Sequence, residues 1–329
     1  MRILIPLLAV VVLIAIGTVG GGGARYLFFV VLPYAGLAIF VLGIVYRVIH
    51  WARSPVPFRI PTSCGQQKSL PWIRSNNQEN PHNMLGVIWR MILEVLFFRS
   101  LFRNTTTEIR QGPPRVLHNP DKWLWASSLL FHWSLLIILV RHFKYFVEPV
   151  PNWIIGLQNL DGFFQIGLPV LLLTDIVVVG ALSYLVLRRL WEAKLRYISL
   201  PADYFALFLL LGITGSGIYL RYFDKSDITL AKQLGTGLLS FAPVVPEGLG
   251  ATFGVHLFLV SILLAYIPLS KLVHMAGVFM SPTRNMVNNN RWERHVNPWD
   301  YPVTVHTYEE YEDEFRDVMK AAELPVEKD

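Results

Sequence analysis

Long runs of apolar residues, separated by short polar segments, dominate the pattern along this chain. Six runs are long enough, or nearly long enough, to cross about 30 Å of hydrocarbon as helices. These runs are Ile3–Val19, Tyr26–His50, Trp123–Phe146, Phe163–Leu187, Leu200–Tyr222 and Ala251–Val273. The pattern predicts an all-α fold, a polytopic membrane bundle of six transmembrane helices. The composition agrees, since 53% of the residues are hydrophobic and only 16% are charged.

The first apolar run admits two interpretations. Preceded by Arg2, it has the form of a signal peptide with a short basic start and an apolar core. It also has the length of a membrane helix, and the glycines at Gly20–Gly23 would then form a tight connection to the next helix. We expect the helix, which places an extra N-terminal span at residues 1–25 before a first core helix at 26–50.

The distribution of positive charge predicts the orientation in the membrane. The segment 51–121 carries nine Lys and Arg residues, and the connection 188–196 carries four more. The connections on the opposite side are poorer in cations, and cytoplasmic loops are the ones enriched in Lys and Arg. Both termini are therefore predicted to lie in the cytoplasm. This asymmetry accounts for the net charge of +6 without any nucleic-acid partner.

Two polar segments interrupt the membrane pattern. The cytoplasmic insertion 51–121 contains an apolar stretch, 83–102, in which Arg90, Glu94 and Arg99 fall on one side of a helix. This indicates an amphipathic helix on the membrane surface or against a partner; a seventh span is the alternative. A four-helix core follows at 122–275. The tail 276–329 ends in an acidic stretch, either a solvated helix or disordered end, or a docking element for a cytoplasmic subunit.

Four histidines lie within the predicted spans, where an imidazole is costly and usually functional. His132 and His142 are separated by about 15 Å of helical rise, and His256 and His274 by about 27 Å, close to five whole turns. The predicted orientation places His142 and His256 toward the outside, and His132 and His274 toward the cytoplasm. Matching depths therefore pairs the outer two and the inner two. The two rises differ by about 12 Å, which helix tilt has to absorb.

Two imidazoles at each depth restrict the chemistry. Structural zinc needs four protein ligands at one centre, whereas imidazoles on both faces of a macrocycle suit a low-spin b-type haem. The single cysteine, Cys64, supplies neither a disulfide nor an iron–sulfur cluster, and the sequence has no CxxCH motif for c-type haem. Interhelical hydrogen bonding is the simpler role for such histidines. A proton relay in a haem-free transporter and a membrane anchor remain alternatives of another class.

Weaker candidates surround the histidines. Arg141 could pair with a haem propionate or extend to the interface. Gly215, in the run GITGSG, would let a porphyrin or another helix approach the backbone. Asp175 lies in mid-span and must face the protein interior, where it could bond a ligand histidine, transfer protons or pair with a neighbouring helix.

The histidine pattern resembles the di-haem cytochrome b subunit of respiratory nitrate reductase, the gamma subunit. The resemblance runs from Tyr26 to Met275, apart from the insertion. It implies a five-helix core with one additional N-terminal helix. It also implies that His132 and His274 hold the iron of an inner haem b, and His142 and His256 that of an outer one.

The extra N-terminal span, the insertion, the acidic tail and the stretch 196–223 are more similar to the M subunit of the sulfite-reduction-associated Dsr complex. That resemblance implies electron exchange between menaquinone and a cytoplasmic iron–sulfur subunit resembling heterodisulfide reductase, beside other membrane and periplasmic subunits. The sulfur chemistry would take place on those other subunits.

The gamma-subunit resemblance also implies a quinol site beside the outer haem, near His142 and the connection 147–162. Position 162 is Gly162, so a quinone-contacting lysine has no equivalent there. Lys144 and Asp161 are the candidate quinone or proton contacts.

Overall fold

A computed structural model describes residues 2–54, 56, 59, 68, 71–72, 74–110, 115–164, 166, 170–289 and 305–328, with backbone alone at 108–110 and 115–117. Fourteen helices and one β-hairpin are formed in this part of the chain. In order they are α1 Leu4–Gly23, α2 Leu32–Ala52, α3 Met84–Phe97, α4 Arg99–Phe102, β1 Thr105–Arg110, β2 Arg115–Pro120, α5 Lys122–His142, α6 Asn152–Asp161, α7 Leu173–Trp191, α8 Ala193–Ile198, α9 Pro201–Tyr219, α10 Ile228–Leu239, α11 Ala251–Tyr266, α12 His274–Gly277, α13 Pro282–Asn285 and α14 Tyr308–Ala321.

Five described helical stretches are long and apolar enough to cross a membrane, so the chain is a multi-pass membrane protein. They are Leu4–Gly23, Leu27–Ala52, Lys122–Tyr145, Pro201–Asp224 and Ala251–Leu269. Short π-helical turns at Leu27–Val31 and Leu220–Asp224 extend two of them. The all-α membrane bundle predicted from the sequence is thus the fold, with the β-hairpin as an unpredicted addition.

The predicted fourth span, Phe163–Leu187, has the wrong boundaries. The helix in this region, α7, begins at Leu173 and ends at Trp191. The preceding sequence contains Gly162 and Pro169, and proline cannot continue a helix because it lacks the N–H and its ring clashes with the preceding turn. Helix α7 is about 28 Å long, enough to cross the hydrocarbon, but it also carries Asp175 and two arginines near its end.

The last span was predicted to run without interruption from Ala251 to Val273, and this is also wrong. Helix α11 ends at Tyr266 and continues as a 3₁₀ turn that contains Pro268. Ser270 is extended, with φ −124° and ψ −179°, before a second 3₁₀ turn leads into α12. His274 therefore does not lie on a straight continuation of the helix that carries His256. The straight-helix rise of about 27 Å therefore does not describe the separation of His256 and His274.

The membrane helices form a sequence of neighbours around the bundle. Helix α5 packs against α7, α7 against α9, and α9 against α11, while α1 packs against both α9 and α11 and α2 packs against α11. Phe131, Val178, Leu182 and Leu210 form the apolar core between α5, α7 and α9. Close packing of α5 against α11 is missing from the described contacts between elements. Side chains nevertheless meet between them, because Leu263 of α11 packs against the apolar cluster that contains Phe131 of α5.

The segment 51–121 defines one end of the bundle, called here the insertion end. The amphipathic helix expected there is formed as α3, and its polar side faces the chain itself. Arg90 donates to the carbonyl oxygens of Glu79, at 2.6 Å, and Thr283, at 2.8 Å, while Glu94 pairs with Arg284 at 2.9 Å. The apolar side of α3 is exposed. Its residues Met84, Leu85, Ile88, Trp89 and Ile92 are each at least 40% accessible.

The acidic tail forms a helix, α14, that the end of the chain stabilises. Thr307 and Glu310 make a reciprocal capping box at its start. The buried Glu312 carboxylate accepts the backbone N–H groups of Glu327 and Lys328, each at 2.8 Å, and these bonds lower its pKa. The exposed apolar residues of α14 recur at helical spacing, namely Tyr308, Tyr311, Phe315 and Val318. Cys64 and His295 lie outside the described residues.

The crossing of α1 and α11 requires glycine. A Cβ atom placed on Gly254 would lie 2.7 Å from the Cα of Gly21, whereas one placed on Gly22 would meet nothing within 4 Å. Small residues at such crossings let two backbones approach, which in lipid is a main source of helix association.

We therefore expect Gly254→Leu to separate α1 from α11 and to lower stability by about 1–3 kcal/mol or more, because the added atoms meet backbone that cannot yield. Thermal unfolding of the detergent-solubilised chain measures this effect. Gly22→Leu is the matched control on the exposed side of α1 and should have little effect. Equal losses in the two variants would contradict the close crossing.

Candidate metal centres

The four histidines that the sequence places within spans come together as two facing pairs. The ring centres of His142 and His256 are 6.3 Å apart, with ring planes inclined by 21°. Those of His132 and His274 are 6.1 Å apart, with ring planes inclined by 75°. These are the pairs that depth matching predicts. The His142–His256 pair connects α5 to α11, and the His132–His274 pair connects α5 to α12.

Three of the imidazoles are held by backbone carbonyl groups through Nδ1. The bonds run from His132 to Ser128 at 2.7 Å, from His142 to Ile138 at 2.7 Å, and from His274 to Lys271 at 2.9 Å. A carbonyl oxygen only accepts, so each Nδ1 carries the proton in these bonds. The unprotonated nitrogen is then Nε2, whose lone pair is available to a metal.

The fourth imidazole is held by a serine on α9. The Ser216 hydroxyl donates to the carbonyl oxygen of Ile213 at 2.9 Å, so it accepts the Nδ1 proton of His256 at 3.0 Å. Gly217 lies against the same ring, because a Cβ placed there would be 3.1 Å from Cε1 of His256. The ring is therefore fixed on two sides with Nε2 free, as in the other three histidines.

The geometry of each pair fits a metal ligated from two sides. Two metal–imidazole bonds of about 2 Å place the ring centres roughly 6 Å apart when the rings face each other across the metal. Among the residues that the structure describes, no group of three or more His, Cys, Asp or Glu side chains converges as a metal site. Each centre thus offers two axial donors, which suits a metal whose remaining ligands come from a macrocycle.

The two pairs differ in their surroundings. His132 is half-buried and meets the edge of Phe98, with ring centres 4.9 Å apart, while His274 is exposed. Phe98 adopts a left-handed backbone conformation, with φ 51°, where α3 ends and α4 begins. The His132–His274 pair is therefore close to the surface at the insertion end. The His142–His256 pair is closer to the opposite end, and both of its histidines are half-buried.

A buried ion cluster adjoins His142. The Arg141 guanidinium lies 3.1 Å from a carboxylate oxygen of Asp161 and 3.1 Å from one of Asp175. Asp161 also accepts the backbone N–H of Thr174 at 2.9 Å and its hydroxyl at 2.7 Å. Tyr222 donates its hydroxyl to Asp175 at 2.8 Å. This cluster (Arg141, Asp161, Thr174, Asp175 and Tyr222) joins α5, α6, α7 and the end of α9.

The other residues singled out in the sequence are distributed as follows. Arg141 does not extend to the interface, and its buried Nε–H has no hydrogen-bond partner among the described residues. Lys144 donates to Gln158 at 2.7 Å, so it is close to the cluster but not part of it. Gly215 does not touch a described histidine: a Cβ there would meet nothing within 4 Å.

Sequence reasoning missed Ser216 and Gly217 as partners of His256, and Thr174 and Tyr222 as partners of the two aspartates. The run GITGSG was the only signal for the first two, since it put small residues within one span. Contacts over 40 to 50 positions, such as Ser216 with His256 and Tyr222 with Asp175, follow from helix packing and leave no local pattern.

Comparison with known proteins extends to most of the chain. A family model described as nitrate reductase gamma subunit matches residues 91–291, a range that includes all four histidines. The chain is 45% identical over 281 residues to the Hdr-like menaquinol oxidoreductase cytochrome b-like subunit of Archaeoglobus fulgidus, which covers 83% of each chain. It is 43% identical over 284 residues to the protein of the same description from Archaeoglobus profundus, covering 84% of this chain and 83% of that one.

The ion cluster generates a stability prediction. Arg141→Met would leave Asp161 and Asp175 buried without a cation, which costs about 3–5 kcal/mol for such a broken pair. A lower midpoint of thermal unfolding in detergent is the expected result. Lys232→Met serves as the control, because it removes a half-buried cation whose partner, Glu148, is exposed and stays solvated, and it should cost no more than about 1 kcal/mol. An equally small effect at position 141 would show that the cluster contributes little to stability.

Proposed function

The chain belongs to the nitrate reductase gamma subunit family, and on that premise we propose that it is a membrane di-haem cytochrome b. It would be the electron-transfer subunit of a quinone-linked oxidoreductase complex. The observation that carries the proposal is that four imidazoles form two facing pairs. In each ring Nδ1 is hydrogen-bonded and Nε2 is free. Helix–helix hydrogen bonding alone would not require four such rings in two matched pairs.

In this proposal His142 and His256 hold the outer haem b and His132 and His274 hold the inner one. A haem held by these imidazoles would supply one-electron transfer. The Nε–H of Arg141, without a partner among described side chains, is the proposed donor to a haem propionate. Hydrogen bonds at Nδ1 keep the ligand rings in the tautomer that leaves Nε2 unprotonated. Their acceptors are Ser128, Ile138, Ser216 and Lys271.

The proposed orientation places the insertion end and both termini in the cytoplasm of a prokaryote, with the chain in its inner membrane. The nine Lys and Arg residues of segment 51–121 support this side. The His132–His274 pair then lies near the cytoplasmic surface and the His142–His256 pair nearer the outside. Electrons would cross the bilayer between the two.

The proposed electron source or acceptor near the outer pair is menaquinone. The two curated relatives are described as subunits of a menaquinol oxidoreductase, which supports this substrate class. Oxidation of the quinol releases two electrons and two protons. Asp161 and Lys144 are proposed to help move those protons. Asp161 and Asp175 share the single guanidinium of Arg141, so the cluster has one carboxylate in excess, which can take up a proton.

The proposed partner on the inner side is a cytoplasmic iron–sulfur subunit resembling heterodisulfide reductase, beside other membrane and periplasmic subunits of a Dsr-type complex in sulfate respiration. A cytochrome b subunit of another respiratory complex is the alternative. The composition of helix α14 supports a protein partner. Residues 307–328 carry eight carboxylates against three cations around an exposed aromatic stripe, a composition that anionic lipid would repel.

Haem quantification tests this proposal. The purified chain should contain two b haems by pyridine haemochrome, and His142→Ala or His256→Ala should each remove one while leaving the other. His132→Ala and His274→Ala should remove the second. His118→Ala, an exposed histidine on the hairpin, is the control and should retain both.

Two results would contradict the assignment. Retention of both haems after replacement of His142 would show that the pairing is wrong. A chain without any b haem would leave a transporter or a membrane anchor as the better description.

A further inference from the structure

A second feature lies beside His256, on the side of α9 that faces α1. A cavity of about 410 Å³ is formed between α1, α9 and the start of α11. Its polar groups are the hydroxyls of Thr18, Ser216, Tyr219 and Thr252, and the rest of its lining is aliphatic or glycine. We propose that this cavity binds the naphthoquinol ring of the substrate, an inference that rests on the proposed function and gives it a site.

The size and lining of the cavity suit this ligand class. Its volume lies within the usual range for small-molecule sites, about 300–1,000 Å³. A naphthoquinol is a flat apolar bicycle with two hydroxyl groups, so it needs an apolar slot and a few hydroxyl partners. Thr18, Gly215 and Tyr219 are exposed, so the slot is open to the lipid side, where an isoprenoid tail can remain.

The Ser216 hydroxyl lies between the cavity and the outer histidine pair. Ser216 lines the cavity and also accepts the Nδ1 proton of His256. A ring in the cavity would therefore lie next to a residue that contacts the iron ligand directly. Oxidation of the quinol would release two protons and two electrons, and a haem held by His142 and His256 would be the one-electron acceptor.

The other neighbourhood of the outer pair is less accessible. Asp161 is 7% exposed, and its carboxylate is occupied by Arg141 and Thr174. Lys144 is bonded to Gln158. A quinol ring would have to break these buried bonds to reach either side chain, whereas the cavity beside Ser216 is already open. The α5–α6 side therefore fits proton movement better than ring binding.

Gly215 provides a direct test, because a side chain added there would enter the cavity without meeting protein atoms. Nothing lies within 4 Å of a Cβ at this position. The same is true of Gly180 on α7, a helix that contributes nothing to the cavity lining. Gly215→Leu and Gly180→Leu are therefore matched variants, one that fills the cavity and one that does not.

The experiment measures binding of 2-methyl-1,4-naphthoquinone to the detergent-solubilised full chain, with reduction of bound haem by the corresponding quinol as a second readout. Gly215→Leu should raise the dissociation constant and slow haem reduction by about tenfold or more, with haem content and reduction by dithionite unchanged. Gly180→Leu should match the wild type in every measurement.

Three outcomes would overturn the cavity assignment: equal binding by Gly215→Leu and wild type, no binding by the wild type, or loss of haem from Gly215→Leu, which would place that residue against the cofactor. Failure of the proposed function has a different signature. A wild-type chain without haem would refute the cytochrome, while the binding measurement would still decide whether the cavity takes a naphthoquinone.

Discussion

Donation of the Nδ1 proton by each intramembrane imidazole is the interaction on which the arrangement of the bundle depends. A polar N–H in hydrocarbon needs an acceptor, and His132 and His142 find theirs one helical turn back on α5. The same bond fixes the tautomer and turns Nε2 away from the parent helix. Because both residues do this on one helix, α5 presents one Nε2 to His256 on α11 and one to His274 on α12.

The helices that do not carry histidine set the position of α5 relative to α11. Helices α7 and α9 connect α5 to α11 around the bundle, through apolar cores that contain Leu182 and Leu210 on one side and Leu209 and Leu259 on the other. The ion cluster around Arg141 adds buried ion pairs at the end of the bundle opposite the insertion end, one residue from His142. The cost of burying two carboxylates with a single guanidinium is offset only when the ion pairs and hydrogen bonds between them are well aligned. The cluster thus sets the position of α5 relative to α6 and α7.

Much of the fold and the histidine pairing could be predicted from the sequence, because both depend on local periodicity and on loop charge. Apolar runs located five of the spans, and orientation with helical rise paired the histidines. The errors occurred where a proline overrides periodicity: Pro169 precedes the true start of α7, and Pro268 ends α11. The difference in rise of about 12 Å assumed one straight helix from His256 to His274, and Pro268 in the intervening 3₁₀ turn shows that this assumption fails. The contact of Ser216 with His256 depends on the rotation of α9, which apolar patterning does not determine.

The two histidine pairs are not equivalent in the relative orientation of their rings. The planes of His142 and His256 are close to parallel, at 21°, while those of His132 and His274 are close to perpendicular, at 75°. Ligand planes set the directions in which iron d orbitals are split, so parallel and crossed imidazoles produce different magnetic anisotropy. In the oxidised protein the two proposed centres would therefore give distinct paramagnetic resonance signals, the crossed pair having the more anisotropic one. The two signals would distinguish the outer centre from the inner one within a single chain.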